Sequence, residues 1–454
     1  MIRMTLSEAA RVLEAKYAGR DTGFAGVSTD SRALERDNLF VALRGPHFDG
    51  HAFLDQAMQR GAAAALVDRA VETALPNLRV QDTRTGLGRL AAAWRACHTM
   101  PLVAVTGSNG KTTVKEMIAA ILGQRGPLLV TQGNLNNDIG VPLTLLRLER
   151  THRHAVIEMG ANHPGEISYL TRIARPTVAL ITNAGPAHLE GFGSIEGVAH
   201  AKGEIYQGLS MNGIAVINSD DVYAPLWREL ADAHRMMTFG LQAPADVRAE
   251  WRQESSGSAL QLLTPEGATE VKLSLPGRHN VMNALAAAAA ALAAGAALSD
   301  IKKGLEAMRP VHGRLERTTG IKGAELIDDT YNANPASLQA ALDVLAACAT
   351  RKWLVLGDMG ELGEDAAALH EQAGEWARAA GVEALYATGE LSRHAARTFG
   401  AGFEHFANHA ALIAALTGRL ERENGGVTIL VKGSRSAHME EVVAALGRFA
   451  GATA

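Results

Sequence analysis

The segment Thr106-Gly107-Ser108-Asn109-Gly110-Lys111-Thr112-Thr113 joins an apolar run at residues 102–106 to a helical pattern at residues 111–122. Glycines allow backbone N–H groups to turn inward around phosphate oxygens, and the start of a helix adds partial positive charge. The Lys111 ammonium can reach the outer phosphates, and the Thr112 hydroxyl can ligate Mg²⁺. The pattern therefore predicts a nucleotide phosphate site at a strand-to-helix turn.

This loop is shorter than the common phosphate-loop signature. That signature has a glycine five residues before Gly110, where this chain has Val105, so the pattern here is Gly-x-x-Gly-Lys-Thr. A plain glycine-rich turn is the alternative interpretation, but Lys-Thr-Thr at a helix start is what a triphosphate needs and a bare turn does not. Kinases, motor ATPases, switches and ligases share such loops, so the loop alone does not define the reaction.

The composition limits the class of protein. A length of 454 residues suggests two to four domains, and 47% apolar with 20% charged residues is ordinary for globular chains. A net charge of −4 offers no basic excess for a nucleic-acid backbone. Cys97 and Cys348 form neither a disulfide framework nor a metal motif, and the longest apolar run, residues 284–297, is shorter than a membrane span. We expect a cytoplasmic protein without a membrane span or a nucleic-acid partner.

Apolar runs alternate with helical patterns, which is typical of parallel sheets covered on both faces and predicts an α/β fold. Central strands are predicted at residues 102–106, 155–159, 178–182 and 214–218, with antiparallel hairpins at the sheet edge over residues 246–275. After a linker at residues 310–314, strands are predicted at 324–327, 353–356, 384–387 and 427–431, and helices at 335–348, 366–380, 409–423 and 439–446. Before the loop, strands are predicted at 39–43 and 63–67 and helices at 55–61 and 89–98.

Polar residues follow two of the predicted central strands. Glu158 lies near the end of one strand, and His188 follows the next strand along the chain. Ligands collect at the carboxyl ends of strands in open α/β sheets, so both side chains are expected at the cleft beside the phosphate loop. The asparagine-rich segment at residues 133–142 offers donors and acceptors to a substrate, although a polar turn is the alternative.

The shortened loop and these segments resemble, in order and over nearly the whole chain, the Mur ligase superfamily, which includes folylpolyglutamate synthetase. The resemblance implies three domains: a small α/β UDP-sugar domain (residues 1–82), a parallel-sheet ATP-binding domain (83–311) and a Rossmann-like domain for the incoming amine (312–454). It also implies that ATP and Mg²⁺ are required, that Glu158 binds Mg²⁺ beside the γ-phosphate, that His188 is a second metal ligand, and that Lys202 is carbamylated. An unmodified Lys202 paired with Glu204 or with a phosphate is the alternative.

The resemblance assigns the remaining site residues. Those implied for the nucleotide are Gly107, Ser108, Asn109, Gly110, Lys111, Thr112, Thr113, Asn283, Arg314 and Asp329. The implied metal ligands are Thr112, Glu158, His188 and Lys202, and the implied catalytic residues are Lys111, His188, Lys202 and Arg314. The motif His279-Asn280-Val281-Met282-Asn283 opens the alanine-rich helix, and capping of that helix is an alternative role for Asn280.

The string Asp328-Asp329-Thr330-Tyr331-Asn332-Ala333-Asn334-Pro335 resembles the superfamily branch that adds D-alanyl-D-alanine, and the chain has no Asp-Asn-Pro-Arg segment of the diaminopimelate-adding branch. Pro335 is well placed as a first helical residue, with Asn334 as its cap. The expected substrates are UDP-N-acetylmuramoyl-tripeptide and D-alanyl-D-alanine, bound by a monomer. The implied substrate contacts are Ser31, Arg32, Gly45, Asn134, Asn136, Asn137, Tyr331, Asn332 and Asn334. A folate-polyglutamylating ligase and a nucleotide-dependent switch are the competing hypotheses.

Overall fold

The structure is a computed structural model of the chain. It describes residues 1–186, 189–254, 257–423 and 425–447, which form three successive α/β units.

The N-terminal unit is built on a five-stranded sheet. The strands of the whole unit, five of which form this sheet, are β1 (Arg3–Thr5), β2 (Lys16–Ala18), β3 (Gly23–Ala25), β4 (Val27–Ser28), β5 (Leu39–Val41), β6 (Arg44–Gly45), β7 (Phe48–Asp49), β8 (Ala64–Val67) and β9 (Asn77–Arg79). The helices here are α1 (Leu6–Leu13), α2 (Leu54–Gln59) and α3 (Thr83–Ala96). The sheet order is β2-β9-β8-β5-β4, parallel except for β2, and β6 pairs with β7 in a short hairpin. Helix α3 packs against α1 and against the second unit.

The central unit contains a six-stranded sheet. The strands of this sheet are β10 (Leu102–Thr106), β11 (Leu128–Val130), β12 (His154–Glu158), β13 (Val178–Ile181), β14 (Ile214–Asn218) and β15 (Arg235–Phe239). Three further strands of the unit follow: β16 (Arg248–Glu254), β17 (Gly257–Thr264) and β18 (Gly267–Leu273). The helices are α4 (Lys111–Leu122), α5 (Gly140–Leu145), α6 (Glu166–Ala174), α7 (Leu189–Phe192), α8 (Ile195–Gly203), α9 (Ala224–Leu230), α10 (Arg278–Ala293) and α11 (Leu298–Ala307).

The order of the central sheet creates a crevice. The strands run β11-β12-β10-β13-β14-β15 and are all parallel. The chain leaves β10 toward one edge and leaves β13 toward the other, so the carboxyl ends of these neighbours form a topological switch point where ligands bind in such folds. Alternate β10 residues enter different cores: Val103 and Val105 pack toward α4 and α10, and Leu102 and Ala104 toward the opposite face. Burial on both faces explains the unbroken apolar strands.

Strands β16, β17 and β18 form a separate antiparallel sheet, joined to the edge strand β15 by a bridge between Phe239 and Val247. The alanine-rich segment is the buried helix α10, whose small side chains allow it to pack closely against α4. No helix in the described ranges combines the length and apolar character needed to cross a bilayer.

The C-terminal unit is a second doubly wound sheet. Its strands are β19 (Glu316–Thr319), β20 (Glu325–Asp329), β21 (Arg351–Leu356), β22 (Ala384–Thr388), β23 (Phe403–Phe406) and β24 (Val427–Lys432). Its helices are α12 (Pro335–Ala346), α13 (Ala366–Ala379), α14 (Ala396–Phe399), α15 (His409–Arg422) and α16 (Glu440–Leu446). The order is β19-β20-β24-β21-β22-β23, parallel except for β19, with an apolar core on each face.

The α/β fold class with three units is confirmed, and the eight predicted strands of the two larger sheets are present. The predicted start of the helix near residue 89 is wrong: α3 begins at Thr83, because the Asp82 side chain accepts a hydrogen bond from the Thr85 N–H (2.6 Å) and caps the helix there. The strands at the edges of the two larger sheets, β11, β15, β19 and β23, were not predicted from the sequence.

Candidate active site

The phosphate loop has the geometry of an anion cradle. Gly107 and Gly110 have φ values of 144° and 80°, which non-glycine residues rarely adopt. A Cβ atom at Gly110 would collide with Oδ1 of Asn283, and one at Gly107 with Oγ1 of Thr182. Gly110 also precedes α4 and provides no side-chain cap, and the first residues of this helix line the cleft, so no described side chain caps the helix start there.

The turn after β13 supports this loop at the switch point. The Asn109 N–H donates to Oδ1 of Asn183 (3.0 Å), and the Thr182 hydroxyl donates to the Asn109 carbonyl (2.7 Å). The Ser108 N–H donates to the Asn183 carbonyl (3.0 Å). Because two chain segments share these bonds, the shape of the loop is fixed by the protein itself.

The Lys111 ammonium lies over the same loop. It donates to the carbonyls of Gly107 (2.7 Å) and Ser108 (3.2 Å). Burial lowers the pKa of Lys111 from its ordinary value, and the neighbouring Arg314 lowers it further, whereas Glu158 opposes the shift. The ammonium thus lies where phosphate oxygens would enter the cradle.

Glu158 ends β12 with one oxygen free of hydrogen bonds. Its Oε1 accepts a hydrogen bond from Nδ2 of Asn136 (2.9 Å), while its buried Oε2 has no hydrogen-bond partner in the part of the chain that the structure describes. The Lys115 ammonium lies 3.9 Å from Oε2. Glu158 and Thr112 line the same cleft. A carboxylate oxygen without a hydrogen-bond partner and a hydroxyl oxygen are the kinds of ligand that Mg²⁺ prefers.

Lys202 is 2% exposed, and its ammonium lies 5.3 Å from the centre of the Phe192 ring. Burial, together with the positive charge of Lys111, lowers the pKa of Lys202 to about 7. The Glu204 carboxylate, the alternative partner of Lys202, accepts the N–H groups of Gly165 (2.7 Å) and Ser168 (3.0 Å) at the start of α6, and its negative charge opposes the lowering of the Lys202 pKa. The predicted metal ligand His188 lies outside the described residues.

Asn283 is the member of the His279–Asn283 motif that lies against the phosphate loop, beside Gly110. Its Nδ2 donates to Oδ1 of Asn280 (3.2 Å), and Nδ2 of Asn280 donates to the Pro276 carbonyl (2.8 Å). The alternative role of Asn280 as a helix cap is wrong, because α10 begins at Arg278 with Gly277 before it.

Arg314 reaches from the start of the C-terminal unit into the phosphate site. Its Nη2 donates to Oγ1 of Thr112 (3.0 Å), and its guanidinium carbon lies 4.3 Å from the centre of the Tyr331 ring. Its buried Nε has no hydrogen-bond partner among the described residues. A buried cationic donor with spare N–H capacity suits a phosphate oxygen.

Asp329 holds the turn that carries Arg314. Its Oδ1 accepts the Leu315 N–H (3.2 Å), and its Oδ2 pairs with the Lys432 ammonium, which also donates to the Asn332 carbonyl (2.9 Å). Asp329 was predicted as a nucleotide contact, and it lines the cleft, but both of its oxygens already have protein partners. These contacts tie Asp329 to the residue that follows Arg314, and its contact with the nucleotide stays a prediction.

Asn334 joins the C-terminal unit to the phosphate loop. Its Oδ1 accepts the Ser337 N–H (2.9 Å) at the start of α12, as predicted for a cap, with Pro335 as the first helical residue. Its Nδ2 donates to Oδ1 of Asn109 (2.8 Å), 225 residues away in sequence. The neighbouring Asn332 accepts the Ala333 N–H with its own side chain (2.9 Å).

One cleft of about 2070 Å³ brings most predicted residues together at the meeting point of the central and C-terminal units. It is lined by every predicted nucleotide residue except Gly107, by Glu158, and by the predicted substrate residues Asn134, Asn136, Asn137, Tyr331, Asn332 and Asn334.

The N-terminal residues predicted to contact substrate do not line this cleft. The Ser31 hydroxyl donates to Gln56 (2.6 Å), the Arg32 guanidinium pairs with Asp30 (2.9 Å), and the Phe48 ring covers Gly45. Lys202 is likewise not among the residues that line the cleft.

Sequence reasoning missed two groups that shape the site: Lys115, behind Glu158, and the Thr182 hydroxyl, under the phosphate loop. For Lys115 a signal existed, because the buried Ile118 and Leu122 follow it at helical spacings of three and seven and place it on the buried face of α4. No sequence signal pointed to Thr182.

The fold and the cleft define a three-unit protein with a phosphate loop, whose nucleotide site is completed by the C-terminal unit. Comparison of sequences extends this result. The Mur ligase family catalytic domain matches residues 24–95, the Mur ligase middle domain residues 105–291, and the Mur ligase glutamate ligase domain residues 313–435.

Curated relatives match over the full length. A UDP-N-acetylmuramoyl-tripeptide–D-alanyl-D-alanine ligase of Escherichia coli K12 is 48% identical over 98% of this chain and 99% of its own length. The enzyme of the same name from Bacillus subtilis is 36% identical over 98% of each chain. The chain therefore belongs to the Mur ligase family.

Solved structures agree with this assignment. The crystal structure of MurF from Acinetobacter baumannii has a TM-score of 0.93 at 38% identity, covering 98% of each chain. MurF ligase from Thermotoga maritima, in complex with ADP, has a TM-score of 0.83 at 28% identity and covers 93% of this chain and 96% of its own. Folylpolyglutamate synthase of Mycobacterium tuberculosis, at 17% identity and a TM-score of 0.66, shares the fold alone.

Proposed function

We propose that this chain is the ATP-dependent ligase that adds D-alanyl-D-alanine to UDP-N-acetylmuramoyl-tripeptide in peptidoglycan synthesis. The observation that carries the proposal is that the phosphate loop, Glu158 and Arg314 meet in one cleft, across two units of the chain. The full-length relatives that carry this activity in their names supply the substrates.

In the first step, a carboxylate oxygen of the tripeptide attacks the γ-phosphorus of ATP, the bond from that phosphorus to the bridging oxygen breaks, and ADP leaves. The product is an acyl phosphate. The difficulty of this step is the approach of an anion to a polyanion. Lys111 and Arg314 offset that repulsion with fixed positive charge in a partly buried site, where electrostatic stabilisation is strongest.

The residues that would hold Mg²⁺ are Glu158, through the Oε2 that has no hydrogen-bond partner among the described residues, and Thr112, through its hydroxyl. When bound there, Mg²⁺ supplies positive charge beside the phosphate oxygens. In this structure the Thr112 hydroxyl oxygen accepts a hydrogen bond from Arg314 (3.0 Å), so the same residue would lie beside a cation held there.

In the second step, the free amine of D-alanyl-D-alanine attacks the acyl carbon, the bond to the phosphate oxygen breaks, inorganic phosphate leaves, and the amine loses its proton. Water must be excluded because it would hydrolyse the acyl phosphate. The contacts of Arg314 with Thr112 and of Asn334 with Asn109 join the C-terminal unit to the phosphate loop, and further closure of this unit over bound substrates would exclude water.

Carbamylation of Lys202 belongs to the same proposal. The deprotonated amine adds to CO₂ and releases a proton, and the resulting carbamate presents two oxygens to a cation. A pKa of about 7 makes the required neutral amine available, and burial protects the product. Electron density for a carboxylate-like group on Lys202, in a crystal with an ATP analogue and Mg²⁺, would support it, and a bare ammonium with no metal nearby would end it.

The division into residues 1–82, 83–311 and 312–454, and the role of Ser31, Arg32 and Gly45 in binding the UDP moiety, are further parts of the proposal. The hairpin of β6 and β7 supports the latter, since it presents the exposed ring of Phe48 beside Gly45. A cytoplasmic, monomeric state remains a prediction.

Phosphate release tests the function directly. With ATP, Mg²⁺ and UDP-N-acetylmuramoyl-tripeptide, sustained release should require D-alanyl-D-alanine, and mass spectrometry should show the ligated product. ATP turnover that is indifferent to both small substrates would instead favour a switch. Turnover only with a folate and glutamate would favour the folate-polyglutamylating hypothesis.

A further inference from the structure

Lys115 is a buried cation that the proposed reaction does not use. It lies in α4, the helix that follows the phosphate loop, and is 1% exposed. Its ammonium donates to the Thr131 carbonyl (2.9 Å) and lies 2.9 Å from a Glu116 oxygen and 3.9 Å from Oε2 of Glu158. A buried ammonium group is costly unless its charge and its hydrogen bonds are matched, so a lysine at this place needs a reason.

The groups around Lys115 form one network that ends on Glu158. The Thr131 hydroxyl accepts the Glu158 N–H (3.0 Å), and the Thr131 N–H donates to the Val156 carbonyl (3.1 Å) in the same strand. Further along this segment, Asn136 donates to Oε1 of Glu158 and accepts the Gly160 N–H (2.8 Å). Residues 131–136 are thus bonded to β12 at both ends, and Lys115 attaches them to α4.

We propose that Lys115 is a positioning residue, which holds Thr131 and Glu158 so that the Glu158 carboxylate keeps its free oxygen toward the cation of the reaction. The inference rests on the proposed function, because Glu158 matters in this way only if a cation is bound there. Lys115 is not among the residues that line the cleft. Its effect passes through Thr131 and through its charge beside Oε2.

The direction of the effect separates positioning from simple charge. If Lys115 only added positive charge near Oε2, removing it would make the carboxylate more attractive to Mg²⁺ and tighten cation binding. If it positions Glu158, removing it leaves the carboxylate free to rotate and loosens cation binding. Groups that orient a metal ligand typically change metal affinity or activity about 10–100-fold when they are replaced.

The test compares Lys115→Met, which removes both charge and donor at similar length, with Glu116→Gln. Glu116 also contacts the Lys115 ammonium, but its side chain is 40% exposed and does not reach Glu158, so it is the matched control. Calorimetry measures the affinity for ADP in EDTA and then during a Mg²⁺ titration. Differential scanning fluorimetry ensures that each protein is folded at the working temperature.

We expect Lys115→Met to keep its ADP affinity in EDTA, while the Mg²⁺ concentration that half-saturates the enhancement of ADP binding rises about tenfold or more. The Mg²⁺ concentration for half-maximal turnover should rise in parallel, and Glu116→Gln should resemble the parent protein. Thr131→Val, which removes the hydroxyl that accepts the Glu158 N–H, should shift the Mg²⁺ dependence in the same direction, and it carries the test if Lys115→Met does not fold.

An unchanged Mg²⁺ requirement in both variants, with only lower thermal stability, would show that Lys115 merely supports the fold. A lower Mg²⁺ requirement in Lys115→Met would show a competing charge. Either result overturns the positioning role and leaves the proposed function standing. If the affinity of the unaltered protein for ADP does not change with Mg²⁺ concentration, the metal site of the proposed function is refuted, and the positioning role of Lys115 is refuted with it.

Discussion

Asn334 makes two separable contacts, so its replacement can be designed to break one or both. Its Oδ1 caps α12 through the Ser337 N–H, and its Nδ2 donates to Asn109 in the phosphate loop. Serine at this position keeps a good capping oxygen but cannot donate across to Asn109, whereas alanine loses both contacts. The pair Asn334→Ser and Asn334→Ala therefore distinguishes the local role from the one between units.

The two contacts carry similar energies by different routes. Loss of an N-cap costs about 1 kcal/mol of stability, which lowers the melting temperature of a unit of this size by about 2–4 °C. Loss of the hydrogen bond to Asn109 costs about 1 kcal/mol of the contact that closes the C-terminal unit on the loop. Since about 1.4 kcal/mol is tenfold, this second loss corresponds to about fivefold in kcat/KM for ATP.

Thermal unfolding and steady-state kinetics on the same preparations check both values. Asn334→Ser should unfold at the temperature of the parent protein and lose about fivefold in kcat/KM for ATP. Asn334→Ala should show the same kinetic loss and also a lower melting temperature. Because Nδ2 is already engaged by Asn109, the nucleotide parameters should change more than KM for D-alanyl-D-alanine, contrary to the substrate role expected from the sequence alone.

Normal kinetics in Asn334→Ser would show that the bond to Asn109 does not matter in turnover. A melting temperature equally low in both variants would show that serine does not restore the cap, and the separation of the two roles would fail.

The remaining predictions concern other parts of the site. Lys111→Ala should abolish ligation and keep the fold by circular dichroism, and near-normal turnover would refute the phosphate-loop assignment. Deletion of residues 1–82 should weaken binding of the UDP substrate far more than that of ATP in calorimetry, and equal losses would contradict the proposed domain division. Asn332→Ala should raise KM for D-alanyl-D-alanine more than KM for ATP, and the opposite order would move the amine site elsewhere. Lys202→Ala should be nearly inactive and partly rescued by short-chain carboxylic acids. Because burial lowers the pKa of Lys202 from 10.5 to about 7, the unfolded chain binds a proton there between these pH values that the folded chain does not, so stability should rise with pH across this window. In CO₂-depleted buffer, Lys202→Met should flatten that rise in denaturant titrations, and an unchanged pH slope would refute the shift.

Local signals in the sequence were enough where one short segment determines its own structure. The apolar run at Leu102–Thr106 needs burial on both faces and therefore predicts a central strand, and the phosphate loop predicts the start of α4. Asn334 and Pro335 predict the first turn of α12 for the same reason, since a cap and a proline act on their own helix. The edge strand β11 was missed because its apolar run is only three residues long, and β15 was missed because its sequence, Arg-Met-Met-Thr-Phe, begins with an exposed arginine and includes a threonine.

Contacts between distant segments could not be predicted in this way. The sequence placed Glu158 at the end of a strand, but the free oxygen that makes it a candidate cation ligand depends on Asn136 taking the other oxygen. In the same way, nothing in the sequence indicated that the Asp329 carboxylate accepts the Leu315 N–H and pairs with the Lys432 ammonium. The hydrogen-bond partners of Glu158 and of Asp329 come from distant parts of the chain, so only the folded structure shows which of their oxygens have partners.

The contacts of Arg314 with Thr112 and of Asn334 with Asn109 both depend on one hydrogen-bond network in the C-terminal unit. Arg314 sits on a turn fixed by Asp329, and Asp329 pairs with Lys432, which also holds the backbone of Asn332 next to Asn334. The groups that reach the phosphate loop and the segment proposed to bind the incoming amine therefore share one set of hydrogen bonds. A ligand that moves either part must strain or relax the other, and because coupling free energies are reciprocal, nucleotide and amine should each change the affinity for the other. This linkage would delay full closure until both substrates are present, which is the order of events that protects an acyl phosphate from water.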